Sequence, residues 1–182
     1  PPLLDGCRQA LEMLLAATVH TAFVVGLPLE IGGRLYNCAV AVCGGRILGV
    51  VPKEHLPNSG EFYERRWFES GHSAPDTVVL CEQSAPVGQN LVFDCGSFSF
   101  GIEICEDLWV PAPPSAYLCM GCALLIANPS ASNELVTKHR YRCELISQHS
   151  ARCLCGYVYA GAGYGESTTD LIFSGYAGVY EN

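Results

Sequence analysis

Apolar and polar positions alternate along this chain in short stretches, and in its first third the breaks between them fall at glycine pairs. Asp5 to Thr18 carries Leu11, Leu14 and Leu15 on one helical face and predicts a helix. Ala22 to Ile31 reads as an apolar strand, Gly32-Gly33 as a turn, and Leu35 to Cys43 as an alternating strand, so the two predict a hairpin. Gly44-Gly45 marks another turn. Arg46 to Val51 is a third strand that delivers Pro52-Lys53 at its end. Pro57 to Arg66 is a polar, aromatic loop or short helix, and Val78 to Leu80 and Asn90 to Phe93 read as short strands.

The second half repeats the alternation with longer helical intervals. Ser97 to Cys105 predicts a strand, followed by the proline-rich stretch Val110 to Ser115 and a short helix to about Cys122. Ala123 to Ala127 is a buried strand. Ser132 is placed to N-cap a long helix through Cys153, with a stripe of Val136, Cys143, Ile146 and Cys153. Gly156 to Ala160 reads as a strand, Gly161 to Asp170 as a glycine-containing loop, and Leu171 to Tyr180 as a final strand pair. Strands mixed with helices, several apolar enough to be buried on both faces, give a layered α/β protein. The early hairpins argue against a purely parallel sheet.

The 182 residues suit one domain, and with 49% hydrophobic and 15% charged residues the chain can bury a sizeable core. A net charge of −8 argues against a nucleic-acid binder, which needs a basic stripe. No apolar run reaches the roughly 20 residues that span a bilayer. Pro1 to Asp5 lacks the shape of a signal peptide, so a cytoplasmic location is expected. The eleven cysteines are odd in number and several lie in apolar strands. They read mostly as small buried hydrophobes in a reducing compartment rather than as a disulfide framework.

Two positions stand out chemically. Cys105, in Gly-Ile-Glu-Ile-Cys-Glu-Asp-Leu-Trp, ends an apolar strand where the chain must turn, and sheet ends are where α/β enzymes place their sites. A thiolate there needs a positive neighbour, because Glu103, Glu106 and Asp107 would oppose its ionisation wherever they face it. The plain alternative is one more buried cysteine. Lys53 also ends an apolar strand and could supply that charge and hold an oxyanion, or could simply be solvated. In Glu61-Phe-Tyr-Glu64-Arg-Arg66 one glutamate could polarise Lys53, while Glu64 and the arginines form local pairs; such a charge run is more often a solvated face. Cys119-Met-Gly-Cys122 lacks a second well-spaced pair for zinc, and His20, His55, His72, His139 and His149 show no ligand spacing, so no metal site is expected. Gly161 to Asp170 lacks the Gly-Lys-Ser/Thr of a phosphate loop.

These pieces occur together in a familiar order. VVPKEHLPNSGEFYERRWF and GIEICEDLWVPAPPS resemble the lysine and cysteine segments of the nitrilase superfamily. EFYERRWF, EICEDLWVPAPPS, SASNELVTKHRYR and YVYAGAGYGESTTDLIFSG are similar to the glutaminase (carbon-nitrogen hydrolase) domain of glutamine-dependent NAD⁺ synthetases. The resemblance covers almost the whole chain. It implies a nitrilase-like four-layer α-β-β-α sandwich, lacking its N-terminal strand and helix, and a Glu-Lys-Cys triad. Cys105 would be the nucleophile attacking the side-chain amide of glutamine, Lys53 the triad lysine, and Glu61 a supporting glutamate. Ser132 and Lys138 would contact substrate, and the Glu106 N–H would join Lys53 in the oxyanion hole.

The resemblance also carries two departures. The family's general base is a glutamate in a segment like Phe-Pro-Glu-Leu, which is expected to lie upstream of Pro1, leaving residues 1–182 as a partial glutaminase domain of low activity by itself. Ser59 stands where the family usually has a tyrosine that contacts glutamine. The ATP- and Mg-dependent synthetase domain is expected beyond Asn182 as the partner that consumes ammonia. The glutaminase part would need no cofactor, and the family implies a homo-oligomer. The rival readings are a stand-alone amidase or nitrilase and a catalytically inactive interaction module.

Overall fold

A computed structural model describes residues 2–17 and 21–181, so Thr18 at the end of the expected first helix and His20 lie outside the described residues. The chain forms two compact units, one up to Leu91 and one from Val92 onward. The mixed α/β class expected from the sequence holds in both.

The first unit opens with helix α1 (Pro2–Ala17), which buries Leu11 and Leu15, one turn apart. Strands β1 (Phe23–Ile31), β2 (Arg34–Cys43) and β3 (Arg46–Pro52) follow as an antiparallel meander. Both connections are two-residue glycine turns with positive φ at each residue, 60° and 77° at Gly32-Gly33 and 58° and 73° at Gly44-Gly45. Their handedness matches the strand twist, which is why Gly-Gly was a reliable hairpin signal. In β2, Tyr36, Cys38, Val40 and Val42 pack with Leu11, Leu15, Leu27, Leu29 and Ile31. Ala39 and Ala41, on the opposite face, are also fully buried, so the central strand is covered on both sides. Strands β4 (Thr77–Leu80) and β5 (Gln83–Pro86) form a separate antiparallel ribbon. β5 was not legible, because Gln-Ser-Ala-Pro has no strand pattern of its own and is held by its partner.

The second unit is built on a five-stranded sheet of β6 (Val92–Asp94), β7 (Ser99–Ile102), β8 (Leu125–Ser130), β9 (Gly156–Gly161) and β10 (Ala177–Tyr180) in spatial order β10-β9-β8-β7-β6. Strands β7, β8 and β9 are parallel, and the two edge strands are antiparallel. Helix α2 (Pro114–Met120) links β7 to β8, and α3 (Lys138–Cys153) links β8 to β9. Leu118 seats directly on Gly101, where a Cβ would lie 2.8 Å from its Cδ1.

Four expectations are corrected here. The strand before Cys105 ends at Ile102, and Cys105 opens a 3₁₀ turn through Trp109. Ser132 is not a helix cap: α3 begins at Lys138, because Asn133 and Glu134 are held in a loop by longer-range bonds described below. Val136 is accordingly outside the helix and almost fully exposed, whereas Ile146 is buried. The strand pair expected over Leu171 to Tyr180 is the single strand β10. Of the cysteines, Cys38, Cys105 and Cys155 are buried, while the rest are partly or fully exposed, fewer buried than the apolar context suggested. Cys119 hydrogen-bonds Cys155 rather than pairing with exposed Cys122. No helix among the described residues is long and apolar enough to cross a membrane.

Candidate functional site

In the first unit, β3 delivers Lys53 to a fully enclosed position, 1% exposed. Its backbone is clamped on both sides: the N–H donates to Asn37 O (2.8 Å) and the carbonyl accepts from Gly71 N–H (2.9 Å). Gly71 has no alternative residue, since a Cβ there would meet Pro52 O at 2.7 Å and Gln89 Nε2 at 2.1 Å. A buried ammonium needs a counter-charge. Glu64 provides it, with Oε1 2.7 Å from Lys53 Nζ and Oε2 accepting from Asn37 Nδ2 at 3.5 Å. Glu64 therefore serves Lys53 and not only the neighbouring arginines, as the local charge run had suggested. Glu61 is partly buried and Ser59 is exposed in the same segment.

In the second unit, Cys105 is 8% exposed and adopts φ 50°, a left-handed conformation that costs a non-glycine residue about 1–2 kcal/mol. Its N–H donates to Asn128 Oδ1 (3.1 Å) at the end of β8. The acidic neighbours are engaged elsewhere. Asp107 Oδ2 accepts from Ile104 N–H at 3.1 Å, and Glu103 is turned into the interior. Glu106 is partly buried on the same turn.

Ser132 and Lys138 flank this turn. Ser130 and Ser132 hydrogen-bond the Tyr159 phenol, which also feels Cys105; burial pushes that phenol up and the serine bonds act the other way. Lys138 Nζ bonds Asn133 Oδ1 and lies 5.4 Å from the centre of the Trp109 ring. The loop at 131–137 is tied down by Arg142, whose Nη2 donates to Glu134 Oε2 (3.0 Å) and to Asn133 O (3.4 Å). Glu134 N–H donates to Ile172 O (2.7 Å) and Ser174 Oγ to Glu134 Oε2 (3.0 Å). Burial opposes ionisation of Glu134, yet the Arg142 and Ser174 bonds hold its carboxyl below the usual range. The structure thus gathers Cys105, Ser132 and Lys138 around one end of the second sheet.

Sequence reasoning missed what lies beneath them. Glu103 is 1% exposed and accepts from Tyr157 O–H (2.6 Å) and Ser115 N–H (3.0 Å). Burial pushes its carboxyl up to about 7, against the opposing pull of these bonds. Ser115 Oγ lies 2.6 Å from His149 Nε2, and His149 Nδ1 lies 2.8 Å from Arg152 Nη2. An arginine only donates, so Nδ1 accepts and the imidazole proton sits on Nε2. Burial, then the Arg152 charge, pushes this histidine down to about 4. The one available signal was a charged residue inside an apolar strand, Phe-Gly-Ile-Glu-Ile-Cys.

These two shifts have opposite consequences for stability. His149 is depressed from 6.5 to about 4, so its contribution is present above pH 6.5 and lost as pH falls through 4. Glu103 is raised from 4.5 to about 7, so its contribution is present below pH 4.5 and lost as pH rises through 7. Between 4.5 and 6.5 the slopes offset. His149→Gln should remove one of them, leaving a protein whose stability relative to wild type rises from pH 7 to pH 5. Denaturant titrations across that range check it; an unchanged difference at both pH values refutes the opposed pair.

A family model described as carbon-nitrogen hydrolase matches residues 8–181. The glutamine-dependent NAD(+) synthetase of Mycobacterium tuberculosis is 42% identical over 185 residues, covering 99% of this chain and 27% of that protein. The Mycobacterium leprae protein of the same name is 40% identical over 173 residues. Among solved structures, a glutamine-dependent NAD(+) synthetase from Cytophaga hutchinsonii superposes with TM-score 0.84 at 28% identity, over 98% of this chain and 29% of that one. An amidase from Nesterenkonia sp. shares the fold at TM-score 0.75 and 18% identity. The chain spans about a quarter of the length of the mycobacterial relatives it matches.

Proposed function

Because the chain belongs to the carbon-nitrogen hydrolase family, we propose that it hydrolyses the side-chain amide of glutamine through a Cys105 thioester and is the ammonia-producing part of a glutamine-dependent NAD⁺ synthetase. The observation that carries the chemistry is the strained backbone of Cys105, φ 50° with its N–H bound by Asn128. Strain of this kind persists at sites where a side chain must be presented. The substrate is carried by the relatives' names and by their 40–42% identity.

In this reading the Cys105 thiolate attacks the amide carbon. Lys53 and the Glu106 N–H hold the oxyanion. The C–N bond breaks with a proton delivered to nitrogen, ammonia leaves, and water cleaves the thioester to glutamate. A glutamate from outside residues 1–182 takes the thiol proton and later activates the water. Glu64 holds the Lys53 side chain in place, and Glu61 supports the substrate side. Lys138 and Ser132 orient glutamine, and Ser59 replaces an aromatic contact to it. No cofactor takes part in this step. ATP and Mg serve a synthetase domain that consumes the ammonia, in a cytoplasmic homo-oligomer.

The test is ammonia release from glutamine, asparagine and simple aliphatic amides by the chain extended upstream through the base-bearing segment. Glutamine should be the preferred substrate, with little turnover by residues 1–182 alone. The same extension with Gln in place of the base should fold and remain idle. Preference for a simple amide would favour a stand-alone amidase, and robust turnover without the extension would move the base role to another residue.

A further inference from the structure

Cys105's backbone N–H can only donate, so Asn128, which receives it, must present its amide oxygen there. That oxygen also accepts from Ser130 Oγ at 2.8 Å. The amide's Nδ2 then faces Tyr157 and donates to its phenolic oxygen at 2.8 Å. The Tyr157 proton is thereby directed onward, to Glu103 Oε1 at 2.6 Å. The other carboxylate oxygen is held by the Ser115 N–H at 3.0 Å. Every link is fixed by the one before it, and the series ends on an acceptor that takes two donors. Asn128, Tyr157 and Glu103 are each no more than 1% exposed, so water offers no substitute partner.

We propose that Glu103 and Tyr157 are positioning residues: with Asn128 they form a one-way hydrogen-bond relay that holds Cys105 in its left-handed conformation and so aims the thiol at substrate. The inference rests on the reading of Cys105 as nucleophile. It explains why a carboxylate is buried just past the end of β7, two residues before the cysteine. A neutral amide at position 103 could not replace it. The Ser115 N–H would claim the amide oxygen, the amide nitrogen would face Tyr157, and the phenolic proton would lose its acceptor, a buried donor left unpaired. Removing the phenol oxygen leaves Asn128 Nδ2 unpaired and frees the amide to rotate away from Cys105. The conformation of Cys105 is strained, so it relaxes when its tether is loosened.

The experiment uses the full-length protein and compares Tyr157→Phe and Glu103→Gln with Val40→Ala, a fully buried change in β2 whose core cluster contains no relay member. Glutamine turnover gives kcat and KM, and a glutamine-analogue electrophile gives the labelling rate of Cys105. Both relay variants should lose kcat by about 10- to 100-fold with KM within about threefold, as expected when a reacting atom is misplaced rather than substrate binding lost. The Cys105 labelling rate should fall in parallel. Val40→Ala should lower the melting temperature without lowering kcat. If Tyr157→Phe does not fold, Glu103→Gln carries the same comparison, since its shape is conserved. A relay variant with kcat and labelling rate within twofold of wild type overturns the proposal. Failure of wild-type Cys105 to label at all sinks the nucleophile reading instead, and is visible before any variant is compared.

Discussion

Cys105→Ala should abolish glutamine hydrolysis, by at least about 10⁴-fold in kcat, while the protein still folds and binds glutamine. No other group can form the thioester, so residual rate is limited to uncatalysed attack by water inside the site. Cys105→Ser should be nearly as inactive, because a hydroxyl is a far weaker nucleophile at its ordinary pKa. The fold should tolerate both, since each removes or replaces a single atom at a position 8% exposed. Cys105→Gly adds a second readout. At φ 50° glycine carries no Cβ penalty, so this variant should be more stable than Cys105→Ala by about 1 kcal/mol, an inactive protein relieved of strain. Ammonia release and denaturant midpoints on the three variants measure both effects. Turnover within a hundredfold of wild type in Cys105→Ala would remove the covalent mechanism.

Lys53→Met should cost about 10³-fold in kcat, the upper end of what losing one oxyanion donor does, if the lysine acts as proposed. The effect on folding should be small by comparison. Methionine fills a similar volume at a 1% exposed position, and the abandoned Glu64 carboxylate is 22% exposed and can turn to water. Lys53→Arg should not rescue activity, since a larger planar guanidinium in this enclosed position cannot put a single compact ammonium where Nζ meets Glu64. Steady-state kinetics beside thermal melts separate the two losses. A kcat within tenfold of wild type in Lys53→Met would show that the lysine is held by Glu64 for structural reasons alone.

The sequence by itself determined the parts whose cause is local. Paired glycines set the two early turns, strand alternation set β1 to β3, and the end of β3 placed Lys53. An apolar stretch leading to Cys105 singled that residue out without deciding between a nucleophile and a buried cysteine, and four separate motifs resembled the family that the carbon-nitrogen hydrolase match shows. The tertiary structure decided everything that depends on a partner distant in sequence. Glu64 belongs to Lys53, eleven residues away, and not solely to the adjacent arginines, because a buried ammonium gains more from a carboxylate than surface charges do. Helix α3 starts at Lys138 rather than after Ser132, because Arg142, Ile172 and Ser174 hold Glu134 and its loop in place. Glu103 reads in sequence as a charge that would hinder a thiolate. In the fold it accepts from Tyr157, 54 residues on, and from Ser115. A carboxylate's burial and its hydrogen-bond donors are properties of the packed sheet, so only the packed sheet shows that this charge supports Cys105 through its backbone.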